Sequence, residues 1–539
     1  MSSHSTHYAT VWESIADRIP DRPALRHGGR CESWGDFESR SALLAGALLE
    51  WGLGHGDGIA AYLYNCPEYF ETFFGSLKIR AVPSNVNYRY RSDELLALLE
   101  NSGAKALFFD AALRDRVASV ADRVPGLILV EVGSGDLSSA IPGAHTYEEV
   151  LATASTAARV ERDDEDVFLS YTGGTTGLPK GVLFRIGQSA GNSLWFRDLF
   201  LGSTTELAPV DYAVALSEAG MSLSAIPASP LMHSTGFIFV SLPTLTAGGT
   251  VTTLLGRPFD AHELLAAVEE TRARVVGIVG DAFGLPIVRA LDEGRPDGGR
   301  YDVSSLQVIC SAGVTWSAPI KERLFEHLPE VTLLDSCGST EGVAYGIGRI
   351  RRGDPLSTAN FDAAPGLKVL SPQGDELPPG EIGLLAGPTT ASGYYGDPEK
   401  TARTFFKVDG AQYAMPGDLG RIEADGTVTL IGRGVTTINT GGEKVYPTEV
   451  EEVIRCHPSV DDCLVLGVPD DRFGQAVGAL VVCRPGHSLQ PADVDSLVRQ
   501  SLAGYKVPRH IRFVEQLPRL PNGKVDYDAA TALASVEPS

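Results

Sequence analysis

Positive charge is what this sequence is short of: 45 Lys and Arg stand against 68 Asp and Glu, for a formal net charge of -23. That imbalance excludes nucleic acid as a partner, because binding a phosphate backbone needs a basic face. It does not exclude a single nucleotide, which needs only a few local donors and a metal ion. Cysteine is also sparse. Cys31, Cys66, Cys310, Cys337, Cys456, Cys463 and Cys483 are odd in number, and none are paired at metal-ligand spacing. They read as reduced thiols of a cytoplasmic protein, neither a disulfide framework nor a zinc site. No long apolar run is present. The most apolar span, "GFIFVSLPTLTAGGTVTTLL", is interrupted by Pro243, Gly248 and Gly249 and reads as core, so no transmembrane segment is expected. The first residues, "MSSHSTHYATVWESIADRIPDRPAL", lack the basic and apolar regions of a secretory signal.

What is there is an ordinary globular composition, 43% hydrophobic and 21% charged, in 539 residues, a length that suggests more than one core. Helical and strand patterns alternate. "SWGDFESRSALLAGALLEWGL" and "SDELLALLENSG" carry apolar residues at helical spacing, and "DGIAAYLYN" and "AKALFFD" are short apolar runs of strand type. The rhythm returns in "DAHELLAAVEETRA", "RVVGIVG", "SAPIKERLFEHLPE" and "VTLLDSCG". It implies a mostly parallel α/β sheet with helices on both faces. After about residue 385 shorter strands sit between Gly- and Asp-rich turns. From about residue 434 a small α+β unit follows, with "PTEVEEVIRCH" and "PADVDSLVRQSLAGY" as helices and "DDCLVLGVP" and "AVGALVVC" as strands.

The most informative stretch is "YTGGTTGLPKG", residues 171 to 181. Strand-like "VFLSYT" precedes it and "GVLFR" follows, so the loop joins two strands. A Walker A loop has the form GxxxxGK[ST] and opens a helix; here Leu178 and Pro179 separate Gly177 from Lys180, and Gly181 follows the lysine. The P-loop reading therefore fails. The physics of anion binding remains. Gly173, Gly174 and Gly177 free backbone N–H groups to turn inward, Thr172, Thr175 and Thr176 add hydroxyls, and Lys180 adds charge. A short Gly/Thr turn alone is ordinarily a surface hairpin; the full string is far rarer.

With this loop the sequence resembles the adenylate-forming superfamily of acyl-CoA synthetases, luciferases and carrier-protein adenylation domains. Further motifs follow in that family's order. "DSCGSTEG", residues 335 to 342, resembles its aromatic-Gly-x-Thr-Glu motif, with Cys337 in place of the aromatic residue. The resemblance implies that Thr340 donates to the α-phosphate of ATP, that Glu341 holds Mg²⁺, and that Asp335, Ser336 and Gly338 border the nucleotide and the acid. "SAGVTWS" implies backbone contacts at Gly313. "PGDLGRIEADGTVTLIGR" implies that Asp418 accepts the ribose hydroxyls and that Arg433 supports ribose or phosphate. "TTINTGGEKVYPTEVEEV" implies a pantetheine path past Gly441 and Gly442, and "LPRLPNGKVD" implies that Lys524 is the catalytic lysine of adenylation. Val435 stands at the usual hinge position. His233 in "PLMHSTGF" and Gly280, Asp281, Ala282 and Gly284 in "GIVGDAFG" are expected around the acid, the small residues leaving room for a bulky one.

The resemblance spans about residues 10 to 530. It implies a large domain at 1–433, with mostly parallel sheets and a small β-barrel-like part, and a mobile α+β domain at 434–539. The implied activity is that of an AMP-forming acid-thiol ligase that uses ATP, Mg²⁺ and coenzyme A, with a homodimer as the candidate assembly. "NVNYRY", "IVGDAF" and "INTGGEKVYP" resemble actinobacterial ligases for fatty acids and steroid side-chain carboxylates. The alternatives are a ligase for aryl or other acids, an acyl-AMP ligase loading a carrier protein, a luciferase-like oxidoreductase, and a binding protein with a decayed site. Retention of Lys180, Thr340, Glu341, Asp418, Arg433 and Lys524 together opposes the last.

Overall fold

The computed structural model describes residues 6–133, 141–172, 179–314, 316–433, 438–440, 443–470, 474–502, 504–520 and 525–535, with the backbone alone at 432, 433, 439, 443, 444 and 474. The alternating rhythm produces the expected α/β architecture, organised around three sheets.

The first sheet has 15 strands. Its parallel half runs through Pro23–His27, Thr250–Thr253, Ser224–Pro227, Val275–Ile278, Val308–Ala312 and Thr332–Gly338. The inner strands Val275–Ile278 and Val308–Ala312 are buried along their whole length, as strands covered on both faces are. At Thr332–Gly338 the sheet changes character. Ala344–Ile350, Asn360–Ala363, Thr427–Arg433, Asp418–Ile422 and Gly383–Pro388 continue it with antiparallel pairings. Most of the short strands expected after residue 385, such as Thr427–Arg433, belong to this half.

The second sheet has eight strands, and its edge strand Ala391–Tyr394 pairs with Lys180–Arg185, which pairs in turn with Val167–Thr172. The two sheets approach each other between residues 338 and 394. The third sheet has five strands, all drawn from residues 438 to 513. The Pro447–Arg455 helix packs on it and starts with proline at its first turn, where no N–H is missed.

Local signals explain the elements. Ser33 and Asp36 form a reciprocal cap at the start of Trp34–Glu50. Gly103 ends Ser92–Ser102 in the left-handed conformation that glycine adopts without cost. The main core includes an aromatic cluster of Trp12, Phe37, Phe73 and Phe74, with Trp12 and Phe74 edge to face at 5.3 Å. Each such side chain contributes roughly 1.5–3 kcal/mol on burial. The apolar span at 236–255 enters this interior as a helical turn, a short helix and a strand, and no helix among the described residues is long and apolar enough to cross a membrane.

Candidate active site

The site is built on the turn between Thr332–Gly338 and Ala344–Ile350. Ser339 N–H donates to Val343 O at 2.9 Å and Gly342 N–H to Ser339 O at 3.1 Å. Gly342 has φ +78, and a Cβ there would meet Thr389 Oγ1 at 2.7 Å. Glycine is therefore required on both counts, and the turn presses against the segment that leads into the second sheet. Thr340 and Glu341 sit at its tip.

Thr389 Oγ1 donates to Glu341 O at 2.5 Å, and the Tyr394 hydroxyl donates to Glu341 Oε1 at 2.7 Å. One carboxylate oxygen is thereby fixed. The other, Oε2, is buried and has no hydrogen-bond partner among the described residues. A buried carboxylate oxygen without a donor is costly unless a ligand completes it. No group of three or more His, Cys, Asp or Glu capable of holding a metal occurs among the described residues. The free Glu341 oxygen suits an ion such as Mg²⁺, which binds through one or two carboxylates and completes its shell with phosphate oxygens and water.

Asp335 behaves differently. It is 3% exposed, and its Oδ2 accepts from Lys321 Nζ at 2.6 Å. Lys321 also donates to Ser357 O at 2.7 Å. Burial pushes the Asp335 carboxyl up to about 6, with Lys321 opposing. One oxygen of this carboxylate is thus paired inside the protein, unlike Oε2 of Glu341. Cys337 is buried as well, and burial raises its thiol pKa. It points into the core near Asp335 and Asp418, so it offers no stacking surface.

Asp418 is 7% exposed and accepts from the Tyr345 hydroxyl at 2.5 Å; its strand register pairs it with Arg433, whose side chain lies outside the described residues. Thr172 and Lys180 face each other across the antiparallel pair that frames the glycine-rich loop. Gly181 has no side chain because a Cβ would strike the Tyr171 ring at 2.8 Å. Gly173, Gly174, Thr175, Thr176, Gly177, Val435, Gly441, Gly442 and Lys524 lie outside the described residues.

Ser336, Gly338 and Thr340 border a cavity of ≈ 390 Å³. Its other walls come from the Ile186–Leu201 helix, through Asn192, Trp195 and Phe196, from Ile238 and Phe239, and from Ile347. Trp195 is 47% exposed. The apolar residues among these were missed in the sequence, where they look like core. The 277–284 segment, expected to border the acid, does not line this cavity. Gly284 is small because a Cβ would meet Ile320 at 2.8 Å and Trp316 Nε1 at 3.2 Å, so its space is taken by packing. Gly280 N–H donates to Ser311 Oγ at 2.9 Å. Asp281 is buried and accepts from Ser317 N–H at 2.8 Å; burial raises its pKa and Arg455 lowers it. His233 lines a separate small cavity of ≈ 30 Å³. Gly313 has φ +91 and lies beside Thr235, whose Oγ1 would be 3.8 Å from a Cβ at that position.

Comparison with known proteins agrees with this geometry. The AMP-binding enzyme family matches residues 12–395, and the AMP-binding enzyme C-terminal domain matches 449–524. The chain is 37% identical to a 3-oxocholest-4-en-26-oate–CoA ligase of Rhodococcus rhodochrous, over 98% of this chain and 96% of the relative. It is 36% identical to a medium/long-chain-fatty-acid–CoA/3-oxocholest-4-en-26-oate–CoA ligase of Mycobacterium marinum, over 98% and 97%. The ATP-bound structure of MatB from Rhodopseudomonas palustris superposes with a TM-score of 0.78 at 27% identity, over 97% of this chain and 98% of that one.

Proposed function

The chain belongs to the AMP-binding enzyme family, and we propose that it is an ATP-dependent acyl-CoA ligase acting on a large hydrophobic carboxylic acid. The observation that carries this is the Thr340–Glu341 turn: a threonine that borders a cavity of ≈ 390 Å³, followed by a carboxylate with one oxygen unsatisfied among the described residues.

A free carboxylate resists thiols because oxide is a very poor leaving group. Joining it to AMP supplies a good one. The acid would sit among Trp195, Phe196 and Phe239, with its carboxylate toward Thr340. One carboxylate oxygen attacks the α-phosphorus of ATP, and pyrophosphate leaves with the electrons of the broken bond. Thr340 donates to the α-phosphate, Asp418 orients the ribose, and Lys180 with the glycine-rich loop holds the outer phosphates. Glu341 would hold Mg²⁺, which neutralises charge on the phosphates. Lys524 bridges acid and α-phosphate oxygens as a compact cation.

We assign residues 1–433 to the large unit and 434–539 to a mobile one that turns between the two half-reactions. Coenzyme A then approaches past Gly441 and Gly442, and its thiolate displaces AMP. Dependence on ATP and coenzyme A fits an enzyme of the cytoplasm. The names of the relatives and the apolar walls of the cavity support a fatty acid or a steroid side-chain carboxylate as substrate.

The test is a panel of fatty, steroid side-chain and aryl acids, with pyrophosphate and AMP measured with and without coenzyme A. The proposal expects pyrophosphate from the large apolar acids and AMP release only when coenzyme A is added. Adenylate formation with no thioester to coenzyme A would transfer the assignment to carrier-protein loading.

A further inference from the structure

A second lysine stands beside the Lys180–Arg185 strand. The edge strand Ala391–Tyr394 pairs with Lys180–Arg185, Tyr394 opposite Val182, and Tyr395 N–H donates to Gly181 O at 2.8 Å. The chain then turns back. Asp397 caps the short Pro398–Thr404 helix by accepting from Lys400 N–H at 2.9 Å, and Tyr394 N–H donates to Thr401 Oγ1 at 2.9 Å. Gly393 makes the fold-back possible, since a Cβ there would meet Thr401 Cγ2 at 2.6 Å. The result sets the Lys400 ammonium 4.7 Å from the centre of the Tyr394 ring, and that tyrosine's hydroxyl is the one bound to Glu341. Lys400, Tyr394, Glu341 and the Lys180 strand thus form one cluster.

The cluster sets the one Glu341 carboxylate beside two lysines that form no ion pair among the described residues. Lysine ion pairs among the described residues are made by Lys78, Lys105, Lys321, Lys368 and Lys506, and neither Lys180 nor Lys400 is among them. Burial and the neighbouring Lys180 bring Lys400 down to about 8, while Asp397 and Glu341 act in the other direction. Neighbouring ammonium groups repel each other, and an anion that joins them relieves that repulsion.

We propose that Lys400 is a second cation of the polyphosphate site, and that with Lys180 it grips the β- and γ-phosphates of ATP and then the departing pyrophosphate. The inference rests on the ATP-dependent acyl adenylation proposed above. In that step the bond from the acid oxygen to the α-phosphorus forms, and the bond from the α-phosphorus to the bridging oxygen breaks. The electron pair leaves on pyrophosphate, whose added charge the two lysines receive. No proton or redox partner is required.

The experiment uses the full chain with inorganic pyrophosphate as the calorimetric ligand, comparing wild type, Lys400→Met and Lys400→Arg. Loss of one charge-assisted contact weakens binding by about 10- to 100-fold. Lys400→Met is expected to lose pyrophosphate affinity by that factor and to raise the KM for ATP, while Lys400→Arg keeps both within about threefold of wild type because it retains the charge. Thioester formation from preformed acyl-AMP and coenzyme A, which involves no polyphosphate, should be unchanged in Lys400→Met. Pyrophosphate affinity of Lys400→Met within twofold of wild type would overturn the proposal, as would Lys400→Arg binding as weakly as Lys400→Met. If the wild type binds pyrophosphate through Lys400 but makes no acyl-AMP from any acid, the assigned reaction falls and the two-lysine site stands.

Discussion

The wall formed by the Thr340–Glu341 turn and its neighbours and the seam between the Asp281–Glu293 helix and the small C-terminal sheet both carry charged side chains away from solvent, yet they treat them oppositely. On the seam several acids are matched, while Asp281 accepts from Ser317 N–H and forms no ion pair among the described residues. Arg519 pairs with Asp462 at 2.8 Å, Arg455 with Asp462 at 3.5 Å and with Glu451 at 3.2 Å, and Arg289 with Asp461. Glu451 Oε1 also accepts from Val465 N–H at 2.8 Å. On the wall, Glu341 keeps one oxygen bare, and Lys180 and Lys400 lack carboxylate partners among the described residues. An interface lowers its energy by pairing its charges internally. A ligand site leaves them uncompensated for the molecule it receives. Asp335 supplies the control within the wall itself, because it lies just ahead of Glu341 on the same strand and turn but is paired with Lys321.

The contrast can be broken most forcefully at that control. Lys321→Met leaves Asp335 buried without its counter-charge and should lower stability by about 3–5 kcal/mol in urea unfolding. Adding Asp335→Leu should restore most of the loss. A cost below about 1 kcal/mol for the single variant would show that Asp335 is not dependent on Lys321.

Glu341→Gln should do the reverse. It keeps an acceptor for the Tyr394 hydroxyl and breaks no ion pair among the described residues, so stability should change by less than about 1 kcal/mol, whereas acyl-adenylate formation should fall by roughly 10²–10³-fold. Equal damage to folding and to pyrophosphate release would place Glu341 with the structural acids. The smallest effect is expected on the seam's outer edge. Arg289 is half exposed, so Arg289→Ala should reduce stability by at most about 1 kcal/mol, with added salt shrinking the difference. A loss above about 2 kcal/mol would mean that this surface pair carries part of the contact between the two units.

Much of this was legible in the sequence because it is local. "VFLSYT" and "GVLFR" form the two strands that frame the glycine-rich loop, Gly103 ends its helix, and "DSCGSTEG" gives a strand running into a turn. What was not legible depends on long-range pairing. Lys400 is an unremarkable helical lysine until the Ala391–Tyr394 strand lies against Lys180–Arg185. The missing donor at Glu341 Oε2 appears only once Tyr394 and Thr389 have engaged the other groups of that residue. Gly284 suggested room for a substrate, but glycine's smallness says nothing of what fills the space, and here Trp316 and Ile320 do. Asp335 carried the right motif for a ligand contact, and only its distance to Lys321 reveals that one of its carboxylate oxygens is occupied.

The central claim is that the acid becomes joined through its own oxygen to the α-phosphorus of ATP before coenzyme A attacks. Turnover of a carboxylate labelled with ¹⁸O at both oxygens, in the presence of ATP, Mg²⁺ and coenzyme A, tests this by mass spectrometry of the nucleotide product. One labelled oxygen should appear in AMP and one should remain in the acyl-CoA. Unlabelled AMP, or ADP accompanied by labelled inorganic phosphate, would contradict it.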